Sequence, residues 1–102
     1  LAYAGRVAQR LRGVQIPEFQ DTYGWIQFLR GDYDEALRHL IPAAQGRPEN
    51  PLVRYHAGRA YAALGRDAEA REHLEASLEL DPAFPKADSA REALAALPTT
   101  GN

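Results

Sequence analysis

At 102 residues, 45% of them hydrophobic and 25% charged, the chain is long enough for one small globular domain and too apolar to be disordered. A net charge of −2 leaves no overall basic field to gather phosphates, which argues against nucleic acid as a partner. There is no cysteine, so disulfides and thiolate metal sites are excluded, and no apolar run approaches the roughly 20 residues of a membrane-spanning helix.

Taken in chain order, Leu1, Ala4, Val7, Ala8 and Leu11 fall on one face of a helix that should end near Gly13. A second helix is expected from Pro17 to Gly31, which suits a left-handed stop. Asp32 and Glu35 have capping-box spacing for the helix that follows. Pro42 lies inside that helix and removes a backbone donor, at a cost of about 3 kcal/mol, so a bend or an early end near Ala44 is expected. From Leu52 to Leu64, Ala57, Ala60, Tyr61 and Leu64 recur at i, i+3, i+4 and i+7 of a helix stopped by Gly65. Asp67 is the expected cap of the next helix, whose apolar line is Ala70, Leu74, Ser77 and Leu78. The "DP" step at Asp81 ends it, because a residue before proline avoids the helical region. After Pro85, Ala87, Ala90, Leu94 and Leu97 form one stripe with Lys86, Asp88, Arg91 and Glu92 outside, as a capping helix over 85–97 should. "PTTGN" reads as a loose tail.

The chain repeats itself. At an offset of 34 residues (Gly24 to Gly58), Gly31 falls on Gly65, Glu35 on Glu69, Ala36 on Ala70, Leu40 on Leu74 and Pro48 on Pro82, without a gap. A period of this size signals a stacked helical array. The small residues at Gly24/Ala36 and Gly58/Ala70 fit a close approach of two antiparallel helices, where a bulky side chain should push them apart. With units beginning at Pro17 and Pro51, the residues Gly58, Tyr61, Ala70, Leu74, Ser77 and Pro82, and Gly24, Ala36, Leu40, Ala43 and Pro48, make the sequence resemble the tetratricopeptide repeat. Gln27 stands where that family has an aromatic residue, and Gln20 and Arg54 where a Trp is common.

The resemblance implies an all-α fold, a right-handed superhelical stack of antiparallel helix pairs. Its units would be 1–16 (second helix of a preceding partial repeat), 17–50, 51–84 and the cap at 85–97, together the C-terminal part of a bacterial-type array. It also implies a protein or peptide partner on the concave side, lined by the first helix of each pair. Carried over by position, the ligand-facing residues are Glu18, Asp21, Trp25, Phe28 and Leu29, then Leu52, Tyr55, Arg59, Ala62 and Ala63. Asp21, Trp25, Phe28, Leu29, Tyr55, Arg59 and Ala62 are taken as the candidate groove. Rings supply contact area there and Arg59 can hold a carboxylate, although Trp25 and Phe28 also fit packing against the Leu1–Leu11 helix. Chaperone-tail binders use Lys and Asn where Asp21 and Trp25 stand here, so that subtype is disfavoured.

Two further readings stay open: a structural or targeting segment of a larger enzyme or secretion component, and a self-assembly unit pairing through the Leu1–Leu11 helix. No chemistry is expected within the chain itself. His39, His56 and His73 are evenly spaced but do not form a metal-ligand motif. Asp32, Asp34 and Glu35 are helix N-terminal charges, and "GRDAEA" lacks the ending of a phosphate loop. No cofactor is implied.

Overall fold

The structure, a computed structural model, describes residues 16–98. The Leu1–Leu11 helix, its stop at Gly13, self-association through it and the tail beyond Pro98 lie outside the described residues. Those residues form helices α1 (Pro17–Leu29), α2 (Tyr33–Gly46), α3 (Pro51–Ala63), α4 (Asp67–Leu80) and α5 (Ala87–Ala96), with no strand among them. Each helix packs on the next, most closely within the pairs α1–α2 and α3–α4.

The same prolines and glycines punctuate the two hairpins. Pro17 and Pro51 stand in the first turns of α1 and α3, where the missing donor has no intrahelical partner to lose. Both helices end in a glycine of positive φ, Gly31 at 85° and Gly65 at 75°. Around Gly31, its N–H donates to Phe28 O at 2.9 Å and that of Asp32 to Gln27 O at 2.9 Å. The same pair of bonds recurs from Gly65 to Ala62 at 3.1 Å and from Arg66 to Tyr61 at 2.9 Å. These are Schellman closures, which satisfy the last carbonyls and turn the chain back on itself.

Asp32 caps α2 by accepting from Glu35 N–H at 3.3 Å. Asp67 does not cap α4. It is the first helical residue, and the cap position falls to Arg66, which makes no side-chain cap bond. Arg66 is the counterpart of Asp32, so the register of the turn, and not the local cap preference, sets where the helix begins. Nor does α2 end near Ala44; it runs through Pro42 to Gly46. Pro42 leaves the carbonyl of Arg38, an exposed residue, without its intrahelical donor.

Small side chains let the helices approach closely. A Cβ on Gly24 would stand 2.7 Å from Leu40 Cγ and 3.0 Å from Ala36 O; on Gly58 it would stand 2.7 Å from Leu74 Cγ. Leu40 and Leu74 are fully buried, alongside Ala36, Ala43, Ala57, Ala60, Ala70 and Ala90. Ser77 replaces an apolar counterpart at Ala43 and hides its hydroxyl by donating to Leu74 O at 2.6 Å. In the α4–α5 connection Asp81 accepts from Ala83 N–H at 3.0 Å, and the turn plugs Phe84 beneath Tyr55, ring centroids 6.0 Å apart.

Candidate functional site

A groove of about 530 Å³ opens along the first helix of each pair and α5. Phe28 of α1 and Arg59, Ala62 and Ala63 of α3 form one side. Ser89, Ala93 and Ala96 of α5, followed by Leu97, form the other. Tyr33 and Asp67, at the starts of α2 and α4, close one end.

Arg59 is fixed within this groove. Its Nη1 donates to the Tyr55 hydroxyl at 2.6 Å, and its guanidinium lies 5.4 Å from the Phe28 ring centroid and 5.6 Å from that of Tyr55, within cation–π range. Behind it is an aromatic ladder: Trp25 stacks on Phe28 at 4.5 Å and 6° and on the His56 ring at 4.0 Å and 18°. Phe28 in turn touches Tyr33 at 5.2 Å. The ladder joins three helices, so the rings cannot turn independently. Asp67 and Glu92 line the groove together with Arg59, giving it charges of both signs.

Among the residues expected to face a ligand, Phe28, Arg59, Ala62 and Ala63 line the groove. Trp25 is partly buried and supports Phe28 from behind. Leu29 is 68% exposed and is not among the lining residues. Asp21 and Tyr55 are buried, at 9% and 2% exposure. Asp21 accepts from His56 Nδ1 at 2.8 Å, a contact that ties α1 to α3, and Tyr55 acts through Arg59. The α5 wall was not anticipated from sequence. Its signal is Ser89, Ala93 and Ala96 at i, i+4 and i+7, a line of small residues beside the longer apolar stripe, and small residues alone carry little contrast.

The three histidines do not converge. His39 Nδ1 donates to Gln20 Oε1 at 2.7 Å and its Nε2 lies 3.2 Å from Glu35 Oε2; His56 is held by Asp21, and His73 stacks on Tyr61 at 5.4 Å and 20°. Among the described residues no helix is long and apolar enough to cross a membrane.

Comparison with known proteins agrees with this architecture. No curated protein matches the chain. The family model described as tetratricopeptide repeat matches residues 27–94, about two thirds of the sequence, and it covers both Schellman turns, both second helices and most of the cap. The duplicated hairpin and this match together place the chain in the tetratricopeptide repeat family, whose general role is protein–protein interaction.

Proposed function

We propose that the protein binds a peptide or an extended protein segment along its concave face, in the groove between α1, α3 and α5. The observation that carries this reading is the immobilised Arg59 in a groove of about 530 Å³: a cation already oriented by Tyr55 and Phe28, set among apolar surfaces of small relief. Arg and aromatic residues in such settings dominate binding energy at interfaces. The partner segment would place an acceptor on Arg59 and short apolar side chains on the alanine walls.

The test is to select binders from a random peptide display library against the intact protein and measure their affinity by fluorescence anisotropy. Arg59→Ala is expected to weaken the selected peptides by about 2 kcal/mol, roughly 30-fold, with helicity unchanged. Peptides that bind Arg59→Ala and Phe28→Ala as tightly as the natural sequence would place the interaction on another surface.

A further inference from the structure

The two repeats differ at one pair, buried in the first and half-buried in the second. An offset of 34 residues puts Gln20 on Arg54 and His39 on His73. In the first repeat His39 Nδ1 donates to the Gln20 amide oxygen at 2.7 Å, both residues buried. In the second repeat the acceptor is gone, because a guanidinium offers only donors. His73 Nδ1 and Arg54 Nε are both shut off from water and without a hydrogen-bond partner. Nearly all buried polar groups in proteins are satisfied, so two orphaned nitrogens on residues that line one hollow call for a reason. Burial first, and the Arg54 charge second, hold the His73 pKa below its ordinary value, which leaves His73 neutral at pH 7 and Arg54 the one positive charge of the pair.

Both residues line a hollow of about 360 Å³ whose other walls include Ile41, Ala44, Pro48 and Tyr61. It lies on another face of α3 from the groove, since Arg54 and Tyr61, seven residues apart, share one side of the helix while Arg59 and Ala63 point away from it. Arg54 makes no ion pair among the described residues, although Glu72, Glu75 and Glu79 line the neighbouring hollow with it. One cation and one neutral ring in an apolar setting complement a single negative charge, and the nearby glutamates disfavour a second.

We propose that Arg54 and His73 form a carboxylate-binding site, separate from the groove and independent of its function, that receives an acidic side chain or the chain end of a protein partner. The flexible Arg54 stem swings into the hollow, its fork meets both carboxylate oxygens, and the movement uncovers His73 Nδ1–H to donate to the same group. The Tyr61 stack holds the histidine ring in place throughout.

The experiment is an NMR titration of the intact labelled protein at pH 7, following Arg54 Nε–H and the His73 ring. The probes are N-acetylglutamate amide for a side chain, N-acetylglycine for a chain end, and phosphate and chloride at matched ionic strength. Saturable shifts of both residues with at least one carboxylate are expected, and the tighter arm identifies the source. Arg54→Gln should abolish them while restoring the pair seen at Gln20 and His39, with an unfolding midpoint no lower than that of the natural protein. His73→Phe keeps a ring on Tyr61 and should weaken the carboxylate about tenfold. An equal response to chloride, a tighter response to phosphate, shifts that persist in Arg54→Gln or full affinity in His73→Phe would each overturn the assignment, as would no saturable shift in any arm.

Discussion

Replacing Gly58 by Val tests a close contact between the paired helices α3 and α4. The first added carbon would stand 2.7 Å from Leu74 Cγ, 3.0 Å from Leu74 Cδ2 and 3.2 Å from Leu74 N. Leu74 is fully buried, and a backbone nitrogen cannot rotate aside. Overpacking of this kind costs about 1–3 kcal/mol, and the two further methyls of valine put Gly58→Val near the top of that range. Helix propensity works the other way, but valine recovers only about 0.3 kcal/mol relative to glycine. The net expectation is a loss of about 2.5 kcal/mol, which in a domain of this size lowers the thermal midpoint by roughly 10–20 °C. Melts followed by far-ultraviolet circular dichroism measure it, and a double variant with Leu74→Ala supplies the control. Leu74→Ala alone should cost about 2–5 kcal/mol, while the pair should fall short of the sum by about 1–3 kcal/mol, because the smaller side chain vacates the contested space. A midpoint at or above that of the natural protein, or strict additivity of the two changes, would refute the packing argument.

At Gly65 the cause is different: a Cβ would meet nothing within 4 Å, but φ is +75°. Gly65→Ala should therefore cost about 1 kcal/mol through the backbone alone, and Gly65→Asn clearly less; equal midpoints for the two variants would remove the conformational explanation. For His73, a pKa lowered on folding means that the unfolded chain binds more protons just below its ordinary value of about 6.5. Stability should thus be level above that pH and fall as the pH drops towards the lower folded value. Urea unfolding of the natural protein and of His73→Phe, compared from pH 8 to pH 5, isolates this contribution, and identical pH slopes would rule it out.

The hairpins were legible because their causes are local and repeated. Gly31 and Gly65 stop helices for a steric reason that any single position can display, and Gly24 and Gly58 announce close contact through an exact interval. Asp67 misled because cap preference is a weak local effect, whereas the Arg66–Tyr61 bond belongs to the whole turn. The early end expected near Ala44 did not occur, because a proline removes one donor and leaves the bonds of the following residues intact, so α2 continues to Gly46. In the candidate site, Phe28, Arg59, Ala62 and Ala63 came from the ligand-facing positions of the resembled family. Asp21 turned inward because its carboxylate finds His56, 35 residues away, and no sequence interval encodes that meeting. The α5 wall stayed hidden since alanine and serine look alike on a core face and on a groove.

The hydrogen bond between Arg59 and Tyr55 has a consequence for kinetics. A free arginine on a surface samples many rotamers, and capturing it costs a ligand on the order of 1 kcal/mol in lost freedom. Here Tyr55 and Phe28 already hold the side chain, so a segment docking on Arg59 as proposed would lose less to this ordering. Rigidity of this sort lengthens the lifetime of a complex more than it quickens its formation.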